Sequence, residues 1–179
     1  MNLPNKLTIF RIILIPVFLV LLFMGGVCTR YIALAVFCLA SLTDALDGHI
    51  ARKYNLITNF GKFMDPLADK MLVCSAMIAL ISVESVVMLP AWVVIVIIAR
   101  EFMITGFRTL AAEQQVVIAA GFWGKLKTIS QMLMVIVLLL NINNVFFIYL
   151  SYILIGLSTV LTIVSAVDYL VKNAKVLKN

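Results

Sequence analysis

The sequence predicts an all-α integral membrane protein with six transmembrane helices, forming a single transmembrane domain over residues 1–179. Composition is the first reason. Of the 179 residues, 64% are hydrophobic and 12% are charged, and the mean hydropathy is +1.16, whereas a soluble domain carries about a quarter charged residues. The second reason is that the apolar residues form six runs, each long enough to cross a hydrocarbon layer about 30 Å thick as a helix. This composition excludes an ordinary soluble domain.

The six predicted spans follow one another along the chain with short connections. They cover residues 7–24, 31–52, 62–83, 90–110, 124–140 and 145–171. The connections contain residues typical of turns, namely Gly25-Gly26 and the stretches 53–59, 84–90, 113–115 and 141–144. The β-branched run Trp92 to Ile98 does not predict a barrel strand, because it is continuously apolar rather than alternating. Pro66 either starts or kinks the third span.

Lysine and arginine are distributed unevenly between the two ends of the predicted spans. With the N-terminus inside, the cytoplasmic side receives Lys6, Arg11, Arg52, Lys53, Lys62, Arg108, Lys125, Lys127, Lys172, Lys175 and Lys178, and the opposite loops hold only Arg30. Because cytoplasmic loops are enriched in basic residues, both termini are expected in the cytoplasm. An alternative for residues 1–28 is a secretory signal, but no small-x-small cleavage site follows Met24.

Four aspartates lie close together between Ser41 and Lys70, half of the eight acidic residues in the chain. Asp44 and Asp47 are three residues apart and Asp65 and Asp69 are four apart, so each pair lies on one face of a helix. Carboxylates near a membrane are costly unless they are paired or bound to metal. Oxygen ligands favour a hard cation, Mg²⁺ or Mn²⁺, and two such ions can stabilise a displacement at phosphorus.

Two other interpretations of the aspartates remain open from the residues alone. The carboxylates pair with nearby basic residues, namely Arg52, Lys53, Lys62 and Lys70, or they form a cation or proton relay in a transporter. Neither interpretation explains Gly48 and Gly61, because a glycine in a helix costs about 1 kcal/mol relative to alanine. Glycines beside the carboxylates make room for a bulky ligand such as a nucleotide.

The spacing of these residues resembles the signature of the CDP-alcohol phosphotransferase family. The signature positions are Asp44, Asp47, Gly48, Ala51, Arg52, Gly61, Asp65 and Asp69. The segments Asn2 to Pro16, Ala99 to Glu101 with Thr105 and Arg108, and Gly124 to Thr128 with Gln131-Met132 are similar to the branch of the family that makes phosphatidylglycerophosphate. The resemblance extends over essentially the whole chain.

The resemblance implies a fold, a reaction and a location. The CDP-alcohol phosphotransferase fold has six transmembrane helices, is usually a homodimer, and holds two divalent cations, Mg²⁺ or Mn²⁺, at the cytoplasmic boundary of the bacterial inner membrane. The implied reaction joins CDP-diacylglycerol and sn-glycerol 3-phosphate to give phosphatidylglycerophosphate and CMP, the committed step of phosphatidylglycerol and cardiolipin synthesis. No nucleic acid partner is implied. The nucleotide motif leaves open another acceptor, namely inositol phosphate, serine or phosphatidylglycerol.

The resemblance also implies roles for individual residues. The metal ligands are Asp44, Asp47, Asp65 and Asp69, and Asp69 is also the general base. The CDP pocket is formed by Asn5, Thr8, Gly48, Arg52 and Gly61. The phosphate of the acceptor needs a cationic pocket, and its candidates are Arg100, Thr105, Arg108, Lys125 and Lys127. For Lys125 and Lys127 the alternative is an ordinary topology signal, and Glu101 is expected to orient an arginine.

Overall fold

A computed structural model describes the backbone of residues 3–53, 59–113 and 121–173, and the side chains of residues 5–43, 64, 67, 68, 70–111 and 121–173. Within these residues the protein is all-helical, with six α-helices and no strands. The helices are α1 (Leu3–Phe23), α2 (Val27–Lys53), α3 (Asn59–Ser82), α4 (Ala91–Glu113), α5 (Phe122–Leu140) and α6 (Val145–Lys172). The predicted all-α class is confirmed, and each predicted segment overlaps one helix.

Three of the predicted turns, at Gly25-Gly26, 84–90 and 141–144, lie between helices, whereas 54–58 and 114–115 lie outside the described residues. Gly25, between α1 and α2, has a positive φ of 74°, a conformation that glycine adopts without strain. Thr29 then fixes the start of α2, because its hydroxyl accepts a hydrogen bond from the Gly26 N–H (3.0 Å) and donates one to the Gly26 carbonyl (2.8 Å). Between α5 and α6, Asn141 has a φ of 50° and Asn144 caps α6 by accepting a hydrogen bond from the Phe146 N–H.

Three of the described helices are long and apolar enough to cross a membrane, which is typical of a membrane protein. Their apolar stretches are Asn5–Phe23, Phe122–Leu140 and Val145–Lys172. α2 and α3 have shorter apolar parts, Val27–Thr43 and Lys70–Ser82, because their aspartate-containing ends are polar. α4 is a continuous helix, but Arg100, Glu101 and Arg108 interrupt its run of apolar residues. The helices that are less apolar are therefore the ones that carry most of the predicted functional residues.

The first of two compact units comprises Met1–Met88 and Leu138–Asn141. In it, α1 packs against both α2 and α3. The face of α1 that is buried recurs every three or four residues and contains Asn5, Thr8, Arg11, Ile15, Phe18 and Leu22. The rings of Phe18 and Phe37 meet at a centroid distance of 5.9 Å, which fixes the level of α1 against α2. Pro66 lies inside α3, seven residues after its first residue, so it does not start the helix.

The second unit comprises Leu89–Val137 and Ile142–Asn179. α4 packs against α6, where the rings of Phe107 and Tyr169 meet edge to face at 5.6 Å. α5 is joined to α6 by a hydrogen bond from Gln131 Nε2 to Thr162 Oγ1 (3.1 Å). Polar contacts of this kind hold apolar helices together where lipid offers no hydrophobic driving force. This unit contains the predicted cationic residues.

Candidate active site

The four predicted metal ligands lie at the neighbouring ends of two helices that are consecutive in the chain. Asp44 and Asp47 are in α2, and Asp65 and Asp69 are in α3. Their side chains lie outside the described part of the structure, as do the predicted nucleotide-pocket positions Gly48, Arg52 and Gly61. The described side chains of α2 and α3 nevertheless define which faces of these helices are buried.

On α2, the aspartate positions continue a buried stripe. Ala33, Phe37 and Ala40 are completely buried. Position 44 follows Phe37 by seven residues and position 47 follows Ala40 by seven. Since seven residues are close to two full helical turns, positions 44 and 47 lie on the same face of α2 as these buried side chains.

The same relationship holds on α3, in the opposite chain direction. Leu72 and Ala76 are buried, and Asp65 and Asp69 precede them by seven residues each. Positions 65 and 69 therefore extend the buried stripe of α3 toward the start of the helix. Because α1 packs against both α2 and α3, four carboxylate-bearing positions extend the packed faces of one three-helix unit.

Three polar side chains of α1 line its buried face near its start. Asn5 and Thr8, both predicted for the CDP pocket, are 7% and 0% exposed, and Arg11 is also 0% exposed. Buried polar side chains in an apolar helix need partners, so their presence here marks a polar interior. Sequence reasoning treated Arg11 only as a topology charge, although its place in the stripe three residues after Thr8 indicates a buried position.

In the second unit, Glu101 joins two of the predicted cations. Its Oε1 accepts a hydrogen bond from Arg100 Nη1 (3.2 Å) and another from Lys127 Nζ. Lys127 is only 3% exposed, and the side chains of Arg100 and Glu101 are each 11% exposed. Burial favours an interior role for Lys127 over that of a surface topology charge. Among the described side chains, one carboxylate is thus shared by two of the predicted cations.

The other two predicted cations of this unit, Arg108 and Lys125, are exposed. Arg108 Nε donates a hydrogen bond to the Tyr169 hydroxyl (3.3 Å), and the guanidinium carbon of Arg108 lies 5.7 Å from the centroid of that ring. Thr105 donates a hydrogen bond to the backbone carbonyl of Glu101 (2.7 Å). Sequence reasoning did not identify Tyr169, because its neighbour on α4 is 61 residues away in the chain.

The donor chemistry of the aspartates fits a hard divalent cation. In the part of the chain whose side chains are described, no group of three or more His, Cys, Asp or Glu residues could hold a metal ion. The four aspartates supply carboxylate oxygens alone, and such ligands suit Mg²⁺ or Mn²⁺ rather than a softer metal. They remain the candidate metal ligands.

Comparison with known proteins places this chain in a family. A family model for CDP-alcohol phosphatidyltransferases matches residues 1–164. The chain is 42% identical to the CDP-diacylglycerol–glycerol-3-phosphate 3-phosphatidyltransferase of Bacillus subtilis, over 99% of this chain and 97% of that protein. It is 40% identical to the enzyme of the same name from Rickettsia typhi, over 94% of each chain. A probable phosphatidylglycerophosphate synthase of Mycobacterium tuberculosis is 38% identical over 96% of this chain and 81% of that protein.

Proposed function

Because the chain belongs to the CDP-alcohol phosphatidyltransferase family, we propose that it is an enzyme that transfers the phosphatidyl group of CDP-diacylglycerol to sn-glycerol 3-phosphate. The products are phosphatidylglycerophosphate and CMP, in the committed step of phosphatidylglycerol and cardiolipin synthesis. The observation that carries this proposal is the similarity of nearly the whole chain to proteins named for this reaction, 42% over 99% of its length in one case.

In this proposal the first unit binds the nucleotide donor. Asn5 and Thr8 on α1, with Gly48, Arg52 and Gly61, form the pocket for the cytidine diphosphate group. The burial of Asn5 and Thr8 on the face of α1 that packs against α2 and α3 supports their part in it. Because glycine has no side chain, the diphosphate can approach the backbone closely at Gly48 and Gly61.

The aspartates Asp44, Asp47, Asp65 and Asp69 would hold two divalent cations, Mg²⁺ or Mn²⁺. Bound there, the ions would stabilise negative charge on the diphosphate oxygens and on the departing CMP. The purely carboxylate donor set and its position on two buried helix stripes support this assignment.

Asp69 is proposed as the general base. Its carboxylate accepts the proton of the attacking glycerol hydroxyl, for which a base must come within about 3 Å of that oxygen. The hydroxyl oxygen forms a bond to the phosphorus of the phosphatidyl group. The bond between that phosphorus and the oxygen bridging to CMP breaks, and CMP leaves with the electron pair.

The second unit is proposed to bind the phosphate of the acceptor. Arg100 and Lys127 are its principal cations, with Thr105, Arg108 and Lys125 as further contacts. The shared contact of Arg100 and Lys127 with Glu101 supports a prearranged pair of cations. Arginine contributes a planar fork that suits phosphate and lysine a compact charge.

The placement in the membrane is also part of the proposal. We place six spans in the bacterial cytoplasmic (inner) membrane, with both termini and the active site on the cytoplasmic side, and assemble the chain as a homodimer. The excess of Lys and Arg on one side of the predicted spans and the three long apolar helices support this placement. Light scattering of the purified protein in detergent tests the dimer.

A panel of acceptors tests the reaction. The full chain in detergent or liposomes is incubated with CDP-diacylglycerol, Mg²⁺ and one acceptor at a time: sn-glycerol 3-phosphate, serine, inositol phosphate or phosphatidylglycerol. Of these four acceptors, we expect only sn-glycerol 3-phosphate to react, and its products to be CMP and phosphatidylglycerophosphate. Activity with serine but not with glycerol 3-phosphate would overturn the acceptor, and no CMP release with any acceptor would overturn the reaction.

A further inference from the structure

Arg11 is a cation enclosed in the first unit. It is 0% exposed, and it lies on the face of α1 that includes Thr8, Ile15 and Phe18 and packs against α2 and α3. A guanidinium carries its charge at any physiological pH, and burial of a charge is strongly unfavourable without an opposite charge nearby. We therefore expect an anionic partner for Arg11 inside this unit.

The acidic residues of the first unit are few. They are Asp44, Asp47, Asp65, Asp69 and Glu84. Glu84 is exposed and lines a cavity with Leu22 at the far end of α1. Leu22 is eleven residues from Arg11, or roughly 16 Å along the helix axis at 1.5 Å per residue. Glu84 is thus too far away, which leaves the four aspartates as the acidic candidates within this unit.

The axial register of α1 against α2 indicates which of the four aspartates lies beside Arg11. The two helices are joined by a short turn and run antiparallel, and the rings of Phe18 and Phe37 are in contact. Counting seven residues from each ring toward the same end of the pair reaches Arg11 on α1 and Asp44 on α2. Since seven residues are close to two helical turns, position 11 lies on the same face of α1 as Phe18, and position 44 lies on the same face of α2 as Phe37.

We propose that Arg11 is a positioning residue, whose guanidinium pairs with the Asp44 carboxylate and holds it in a fixed orientation. One carboxylate oxygen of Asp44 then accepts a hydrogen bond from Arg11, and the other stays available for a metal ion. Carboxylates that bind metal ions are commonly held by further hydrogen bonds in this way. The pair also offsets part of the repulsion among the four aspartates. The Arg11–Asp44 pair itself does not depend on the proposed function; only the statement that Asp44 is held ready for a metal ion rests on it.

A double-mutant cycle on the full chain in detergent tests the pair. The variants Arg11→Met, Asp44→Asn and the double variant are unfolded by heat in excess chelator and without substrate. Each single change leaves one buried charge without its partner, and we expect it to lower the unfolding midpoint by about 6 °C or more. The double variant removes both charges, so its midpoint is expected to fall by clearly less than the sum of the two shifts.

Arg30 offers a matched control in the same unit. Its guanidinium donates hydrogen bonds to the Glu84 carbonyl, Ser85 Oγ and the Leu138 and Leu139 carbonyls. Shifts from Arg30→Met and Asp44→Asn are therefore expected to add. Additive shifts for Arg11→Met and Asp44→Asn would overturn the proposal. Coupling of Arg11 to Asp47, Asp65 or Asp69 instead would overturn the assignment to Asp44.

A conservative variant keeps the test decisive if Arg11→Met does not fold. Arg11→Lys keeps the positive charge but lacks the planar guanidinium group with its several N–H donors. We expect it to fold with a smaller loss of midpoint and to retain coupling to Asp44→Asn; additivity would again overturn the pair. Because the cycle uses neither metal nor substrate, its result is independent of CMP release. A failed cycle and a failed activity assay are thus distinguishable.

Discussion

Lys127 on α5 donates a hydrogen bond to the Glu101 carboxylate on α4, and the oxygen that accepts it also accepts one from Arg100. Lys127 is 3% exposed, so this contact takes place away from solvent. A buried lysine loses most of its rotamer freedom and its hydration. Glu101 therefore links the two cations that we propose as the centre of the acceptor pocket.

The first prediction concerns Lys127. In the variant Lys127→Met we expect the KM for glycerol 3-phosphate to rise about tenfold or more, because one charge-assisted hydrogen bond contributes roughly 1.5–3 kcal/mol. CMP release is measured over a range of acceptor concentrations. Lys172→Met is the matched control, since Lys172 is exposed and pairs with Asp168 one helical turn away. An unchanged KM in Lys127→Met would remove this residue from the acceptor pocket.

The second prediction concerns Glu101. The variant Glu101→Gln keeps the shape of the side chain but removes the negative charge that contacts buried Lys127 and half-buried Arg100, and we expect the free energy of unfolding to fall by about 3–5 kcal/mol. Thermal unfolding in detergent measures it. Asp168→Asn breaks the ion pair with the exposed Lys172 and is expected to cost about 0–1 kcal/mol. Equal losses in the two variants would contradict the buried character of the Glu101 contacts.

The helices could be predicted from the sequence because their signals are local. Continuous apolar runs and turn residues determine α1 to α6, and Gly25 and Asn141 adopt the positive φ values that mark such turns. The ends differ by several residues where polar residues continue a helix. α2 begins at Val27 rather than at residue 31, because Thr29 caps its first turn through Gly26.

The contacts between helices could not be predicted in this way. Lys127 and Glu101 are 26 residues apart, and Arg108 and Tyr169 are 61 apart. Partners across such separations depend on how the helices pack, which a single sequence does not specify. The carboxylate cluster alone favours a hard cation, but the individual roles, such as Asp69 as the base, come from the match to a family signature and remain predictions.

The third prediction concerns metal removal. Chelation by excess EDTA is expected to abolish CMP release, because the charges on the diphosphate and on the departing CMP lose their stabilisation. Added Mg²⁺ or Mn²⁺ is expected to restore it, since both accept carboxylate oxygen ligands. Undiminished turnover in EDTA, after dialysis against metal-free buffer, would contradict the assignment of the four aspartates as metal ligands.

The fourth prediction concerns Arg30, which holds together the far end of the first unit. It donates hydrogen bonds to the Glu84 carbonyl and Ser85 Oγ (2.7 Å each) and to the Leu138 and Leu139 carbonyls (3.0 and 3.1 Å). Arg30→Met is expected to lower the free energy of unfolding by about 3 kcal/mol or more, at roughly 1.5–3 kcal/mol per hydrogen bond to a charged group.

The same variant separates stability from catalysis. The residues that Arg30 contacts are not part of the proposed active site, so kcat and KM of the folded Arg30→Met protein are expected to equal those of the unaltered chain. CMP release, normalised to the folded fraction, measures this. A large loss of kcat with unchanged stability would contradict a purely structural role for Arg30.

The fifth prediction concerns Asp69, the proposed base and metal ligand. Asp69→Asn keeps the size of the side chain but cannot accept the hydroxyl proton, and we expect kcat for CMP release to fall by about 10²–10⁴-fold. Saturating Mn²⁺ is not expected to restore it, because a lost base cannot be replaced by added metal. Asp168→Asn, at an ion pair with an exposed lysine, should retain full activity. Turnover of Asp69→Asn within about twofold of the unaltered chain, far less than removal of a general base costs, would exclude Asp69 as the base.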